Sequence, residues 1–383
     1  MRYFLTEEQQ MIVDICRRIV EDRIIPVRAE LDEKELFPVE IIKEIGGSDL
    51  FRLFIPEEYE GMGTGIFEVC LATEELSRGD LGIATSFAAS GLGIIPILIA
   101  GNEEQKKKFL PPMASGSKLA AFGLTEAEAG SDAGNIKTTA KKDGDFYILN
   151  GTKQWISNGG EADIYSIFAM TNPGKGIRGA SVIIVEKGTP GFEFGKKENK
   201  LGIRSSATRE LIFNDCKVPK ENLLGSEGMG FILAMKTFDQ SRPAVGAQAV
   251  GVAQAALEEA LNYTRIRKQF NVPISSFQAI QHILADMATN IEAARALVYH
   301  TAKVIDSGEK NVTRLSSMSK LFASDMAMKV TIDAVQILGG YGYMKEYPLE
   351  KMMRDAKITQ IYEGTNQIMR NVIALDMIKR GVL

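Results

Sequence analysis

The chain has 383 residues, 45% of them hydrophobic and 25% charged, and a formal net charge of −4. That length supports two or three units sharing a substantial core, and the slightly acidic balance argues against a general nucleic-acid binder. Cys16, Cys70 and Cys216 stand far apart without a CxxC pair and only His282 and His300 accompany them, so neither a disulfide framework nor a metal site is expected, and a reducing intracellular compartment is.

Residues 1–117 read as helical, with apolar residues at helical spacing in MIVDICRRIVEDRII, VEIIKEI and FEVCLATEEL. The opening MRYFLTEEQQMIVD places Thr6 and Gln9 in a capping-box pattern and lacks the layout of a signal peptide, so a cytoplasmic protein is expected. LGIATSFAASGLGIIPILIA, residues 81–100, carries no charge and has about the length of a membrane span. Its three glycines and Pro96 favour a buried helix or helix pair, and no membrane insertion is expected.

Over residues 118–226 the period shortens. FYILNGTKQWIS, ADIYSIFAMT, GASVIIVEK and RELIFNDCKV are β-branched or aromatic runs separated by turns such as Asp143-Gly144 and Asn158-Gly159-Gly160. Within this β region, FGLTEAEAGSDAGN (122–135) offers Thr125, Ser131 and backbone amides to a polar ligand. Small residues there let a ligand approach the backbone closely. The single tryptophan, Trp155, sits in WISNGG beside Ser157, as a core residue of a sheet or as the wall of a planar-ring site.

Residues 227–383 return to the helical period in three long runs. GSEGMG (225–230) and GGYGYM (339–344) lack the strand, helix and acid of a dinucleotide fingerprint, so they read as a helix entry and a tight turn. RIRKQF (265–270) places Arg267 on a helix, with Phe270 one turn on, as a solvated basic face or as a phosphate partner. Glu363, in YEGTNQIMRN, is either a helix-start acid or a base.

Together these pieces resemble the acyl-CoA dehydrogenase family. GLTEAEAGSD, WISNGG, QILGGYGYMKEYPLEKMMRD (336–355) and IYEGTNQI occur in that family's order and spacing, and the likeness covers essentially the whole chain. Ala127 replaces a usual proline and Asn135 a usual small residue. The expected fold is α+β and multidomain: an all-α N-terminal domain (1–117), a central β-barrel-like or β-sandwich domain (118–226) and a C-terminal four-helix bundle (227–383).

The resemblance implies one FAD per subunit without a Rossmann fold. By position, Phe122, Leu124, Thr125, Gly130 and Ser131, with Trp155, Ile156 and Ser157, hold the flavin ring. Arg267, Phe270 and Gln278, with Gln336, Ile337, Leu338, Gly339 and Gly340, contact the FAD of a neighbouring subunit, and Thr365 and Gln367 approach the same cofactor. Ser131, Asp239, Gln240, Ser241, Arg242, Tyr362 and Gly364 contact the acyl-CoA. A shared cofactor site implies an oligomer, in this family usually a homotetramer, and electron-transferring flavoprotein is the implied electron acceptor.

In family members that carry YEG here, the glutamate removes the Cα proton while flavin N5 takes the β-hydride, so the resemblance makes Glu363 the base. In the isovaleryl and long-chain branches the base precedes the arginine equivalent to Arg242. Here FDQSRPAV puts Ser241 in that position, which leaves the role to Glu363. Burial is expected to raise its pKa. DLGIATSFAAS carries no cation for a distal carboxylate, and its small residues (Ala84, Ser86, Ala88, Ala89), with Gly91 and Gly93, either leave room for an acyl group or only pack helices. The expected substrate is a short- to medium-length monocarboxylyl-CoA, straight, branched or alicyclic. A flavin oxidase or monooxygenase on the same fold, or a non-catalytic FAD-binding relative, are the alternatives.

Overall fold

Thr6 starts the first helix by the reciprocal cap its sequence encodes: its hydroxyl accepts the Gln9 N–H at 3.2 Å, and the Gln9 side chain accepts the Thr6 N–H at 3.0 Å. The computed structural model describes residues 4–381. Six helices come first: α1 (Glu7–Ile19), α2 (Arg28–Lys34), α3 (Val39–Gly47), α4 (Ile66–Gly79), α5 (Leu81–Ala100) and α6 (Glu103–Ala114). The charge-free run is the single helix α5. It is long and apolar enough to cross a membrane, but protein covers most of it. A Cβ on Gly91 would overlap the Phe54 ring and one on Gly93 would crowd the Ala121 backbone, so close packing requires glycine at both positions. Ser86 donates to the Gly82 carbonyl at 3.2 Å, and Ala84 is fully buried, so they do likewise.

The middle of the chain is β1 (Ala120–Gly123), β2 (Thr139–Asp143), β3 (Phe146–Ser157), β4 (Ile164–Met170), β5 (Ala180–Glu186), β6 (Phe192–Lys197), β7 (Thr208–Pro219) and β8 (Leu223–Leu224). Hydrogen bonding runs β6-β7-β3-β2-β4-β5-β8, with β1 also on β4. The β6-to-β2 and β4-to-β8 leaves join only where Thr139 faces Met170 in parallel register, which gives a two-leaved module. β1 and β2 both pair in parallel with β4, and the chain between them, residues 124–138, leaves the sheet as a loop.

The rest is α7 (Gly230–Ile266), the hairpin of β9 (Lys268–Gln269) and β10 (Val272–Pro273), α8 (Gln278–Asp306), α9 (Thr313–Leu338), α10 (Leu349–Ala356) and α11 (Asn366–Arg380). Helices α7, α8 and α9 pack mutually over alanines such as Ala247, Ala294 and Ala323, and α11 lies against α9. At Gly251 the α7 backbone approaches α4 so closely that a Cβ would overlap the Glu74 carbonyl. Arg267 does not lie on a helix: it caps the end of α7 in extended conformation, and Phe270 follows in the hairpin turn at φ 50°.

One buried ionic cluster ties the three regions together. Lys351 on α10 lies 2.6 Å from Asp80, at the α4–α5 corner, and 2.5 Å from Asp355. Asp80 also accepts the Ser205 hydroxyl at 2.6 Å, and Asp355 accepts the Ile203 N–H at 2.6 Å, both from the loop between β6 and β7.

Candidate active site

Glu363 sits in the turn between α10 and α11 with φ 51°, followed by Gly364 at φ 101°. A left-handed non-glycine costs about 1–3 kcal/mol and persists only where its surroundings hold it. The N-cap of α11 is Thr365, whose hydroxyl accepts the Ile368 N–H at 3.2 Å, so Glu363 precedes the helix and is no first-turn acid.

Four side chains fix this turn. From α7, Ser241 donates its hydroxyl to the Glu363 carboxylate, and Arg242 donates Nε–H to the Glu363 carbonyl at 3.2 Å. From α9, Lys320 donates to the Gly364 carbonyl at 2.7 Å. Tyr362 donates its hydroxyl to Gln248 at 2.6 Å, and Gln248 donates to Thr85 at 3.2 Å. Burial pushes the Glu363 pKa up; the Ser241 hydrogen bond and the Arg242 and Lys320 charges oppose that rise. Neither Lys320 nor the carboxylate contact of Ser241 was foreseen. The signal for the first was a lysine inside the otherwise small and apolar run SSMSKLFAS.

The opposite wall belongs to the β module. Lys153, fully buried on β3, donates to the Leu124 carbonyl at 3.1 Å and to Glu126 at 2.7 Å. Glu126 also accepts the N–H groups of Lys137 at 2.5 Å and Thr138 at 2.9 Å, so both ends of the 124–138 loop are tied to one carboxylate. The next turn of β3 is a bulge: register shifts between Lys153 and Ile156, Trp155 takes φ 56°, and its indole is 57% exposed. Trp155 is therefore not a core tryptophan. Asn158, buried, anchors the end of the strand by donating to the Ser86 and Ala120 carbonyls.

Between these walls lies a cavity of about 360 Å³. Its lining brings together Phe122, Leu124, Thr125, Gly130 and Ser131 from the loop and Trp155, Ile156 and Ser157 from β3. Arg242, Tyr362, Glu363 and Gly364 face them, and α5 contributes Ala88, Ala89 and Leu92. A second cavity of about 380 Å³ shares Ala88, Leu92 and Glu363 with the first, and Gln240 and Ser241 line this one instead. Asp239 lines neither: it accepts the Thr313 hydroxyl at 2.6 Å and stands 3.8 Å from Arg242. Thr365 and Gln367 also lie outside both linings.

Arg267, Phe270, Ile337, Leu338, Gly339 and Gly340 meet elsewhere, in an open groove of about 720 Å³. There the Arg267 guanidinium stacks 5.3 Å from the Tyr341 ring centroid. Gln278, the first residue of α8, and Gln336, near the end of α9, are not part of its lining.

Comparison with known proteins decides the family. Models of the acyl-CoA dehydrogenase N-terminal, middle and C-terminal domains match residues 6–117, 121–216 and 228–378. The chain belongs to the acyl-CoA dehydrogenase family. Among relatives, an acyl-CoA dehydrogenase of Bacillus subtilis is 50% identical over 97% of this chain and 98% of its own. An acryloyl-CoA reductase (NADH) of Anaerotignum propionicum is 48% identical over 99% and 97%. Among solved structures, butyryl-CoA dehydrogenase from Megasphaera elsdenii superposes with a TM-score of 0.96 at 46% identity, covering 99% of this chain and 100% of that one. A chain from work on the electron transferring flavoprotein of Acidaminococcus fermentans gives 0.97 at 51%, covering 99% and 100%. An acyl-CoA dehydrogenase from Bacillus anthracis complexed with FAD gives 0.92 at 38%, covering 99% and 69%.

The protein is thus an FAD-dependent acyl-CoA dehydrogenase, and its residues fit that cofactor. Among the described residues the hydroxyls of Thr125 and Ser157 have no protein partner, yet both line a cavity walled by an exposed indole. They would meet the polar edge of a flavin, and Arg267 in the open groove would meet a phosphate charge.

Proposed function

We propose that this enzyme dehydrogenates a short- to medium-length monocarboxylyl-CoA across Cα–Cβ, giving the 2-enoyl-CoA, with Glu363 as the base for the Cα proton. The observation that carries this reading is the placement of the Glu363 carboxylate across one cavity from Trp155, Thr125 and Ser157. When bound, FAD supplies the acceptor for the β-hydride. Burial makes Glu363 a stronger base than an exposed carboxylate, while Ser241, Arg242 and Lys320 keep its ionised form accessible. The Glu363 N–H donates to no other group among the described residues, which leaves it for the thioester oxygen as negative charge develops there.

Two features support a monocarboxylyl substrate. Among the described residues the only cation lining the first cavity is Arg242, already held by the Glu363 carbonyl and the Ser317 hydroxyl. The similar structure from Megasphaera elsdenii is named for butyryl-CoA. The Anaerotignum relative, named a reductase, supports a second reading in which the same groups run the reaction toward the saturated thioester, Glu363 then giving its proton to Cα. Electron-transferring flavoprotein is the proposed acceptor, in line with the Acidaminococcus work. The open groove with Phe270, 88% exposed, supports completion of the cofactor site by a second copy in a homotetramer.

Anaerobic titration of the flavin absorbance with a panel of CoA esters tests the reading. The wild type should bleach fastest with short or medium monocarboxylyl esters, and Glu363→Gln should slow bleaching at least about 10²-fold. Equal bleaching by the variant would remove Glu363 from the role, and palmitoyl-CoA or glutaryl-CoA as best ester would overturn the substrate class.

A further inference from the structure

Helix α9 passes beneath the base-bearing turn with Ser317, Lys320 and Ser324 on one buried face, at i, i+3 and i+7. Lys320 is fully buried, and no carboxylate lies within ion-pair distance of its ammonium among the described residues. Such a group is costly unless its hydrogen bonds are made. It makes them to the Gly364 carbonyl at 2.7 Å and the Asn366 side-chain oxygen at 2.8 Å. Arg242 treats the preceding carbonyl, that of Glu363, in the same way at 3.2 Å. Two successive carbonyls, on residues at φ 51° and 101°, are therefore each gripped by a buried cation. Lys320 lines neither cavity.

We propose that Lys320 is a positioning residue for the reaction: it holds the Gly364 carbonyl, fixes the left-handed turn that aims Glu363, and favours the ionised base by its charge. The proposal rests on the reading of Glu363 as the base. The charged groups around Lys320 are Glu363 and Asp325, which favour its ammonium, and Arg242, which opposes it. Asp325 is already paired with Arg370 at 2.7 Å, and Arg242 has Asp239 at 3.8 Å. Glu363 is then the charge that Lys320 answers most directly. Burial pushes the Lys320 amine down to about 7, against the pull of Glu363.

The test uses FAD-loaded Lys320→Met and Lys320→Gln and reads proton abstraction apart from oxidation. A 3-thiaacyl-CoA has sulfur in place of Cβ and no hydride to give, so wash-out of deuterium from its Cα reports the base alone. Lys320→Met should slow wash-out about 10²-fold while KM for butyryl-CoA stays within about threefold, because a misaimed base loses rate without losing substrate contacts. The loss should be about tenfold larger near pH 6 than near pH 9, since removing a nearby cation raises the pKa of the base. Lys320→Gln keeps a donor without the charge; it should recover part of the rate and retain the pH bias. It carries the same test if the methionine variant does not fold. Wash-out per FAD-loaded enzyme equal to wild type, or a loss uniform in pH with KM rising in step, overturns the proposal. Glu363→Gln, measured in parallel, separates the premises: if it still exchanges deuterium, the base has been misassigned, whereas an inert Glu363→Gln beside unimpaired Lys320 variants removes only the role of Lys320.

Discussion

The Ser241 hydroxyl, on α7, donates to the Glu363 carboxylate across 122 positions of the chain. A hydrogen bond to an ionised carboxylate lowers its pKa, so Ser241 counters the rise that burial imposes. In Ser241→Ala the base should protonate at higher pH, moving the acid limb of the kcat/KM profile upward. The rate falls about tenfold below the limb and little above it. A pH–rate profile on butyryl-CoA decides this, and an unmoved limb would show that the hydroxyl contact does not persist in the working enzyme.

Ala88 and Leu92, one turn apart on α5, line both the 360 Å³ and the 380 Å³ cavities. Shortening this partition should let a longer or branched acyl group extend into the second space. Leu92→Ala is expected to raise kcat/KM for such esters, relative to butyryl-CoA, by about tenfold, and Ala88→Leu to lower it. Rates across an ester panel measure the shift; an unchanged ranking would mean that substrate never reaches the second cavity.

Trp155 is more than half exposed, and a bulge rather than core packing sets its direction. Trp155→Ala should therefore leave the melting temperature of the FAD-free protein nearly unchanged, as surface substitutions do. Loss of the indole face should weaken FAD retention about tenfold or more. Flavin content after gel filtration, beside thermal melts, separates the two effects, and a large drop in the melting temperature would contradict the assignment.

Burial pushes Lys153 down to about 8, with Glu126 pulling the other way. The folded pKa lies below the unfolded value, so between about pH 8 and pH 10.4 the unfolded chain binds more protons and this group adds stability as pH rises. Below pH 8 both states are charged and the contribution is flat. The destabilisation caused by Lys153→Met should accordingly grow from pH 8 to pH 10 in urea unfolding. A difference that shrinks with pH would mean that Lys153 stays charged in the folded protein.

How far the sequence carried these conclusions differs from residue to residue. Local chemistry was legible: the T-x-x-Q cap of α1, the short-period strands and the glycine turns depend on neighbours in the chain. The loop around Thr125, the WIS run and YEG were legible as motifs, and the structure brings all three to one cavity. What was not legible depends on how distant helices cross. The grip of Lys320 on Gly364 spans 44 positions, and that of Ser241 on Glu363 spans 122. Arg267 was expected on a helix because RIRKQF continues the α7 pattern, yet the chain turns into a hairpin there. The small residues of α5 looked alike in sequence, but only their direction separates Gly93, set against the Ala121 backbone, from Ala88, which lines a cavity.

The Asp80–Lys351–Asp355 cluster bears on how the molecule is made. Asp80 leaves the ribosome 271 residues before the lysine that neutralises it, an interval of roughly 15–55 s at ordinary elongation rates. Throughout that time the α4–α5 corner carries a carboxylate that is costly to bury without its counter-charge. The α4–α5 corner is therefore expected to dock tightly only once residues 351–355 have emerged, so that completion of the chain, more than synthesis of its first region, favours closure of the core.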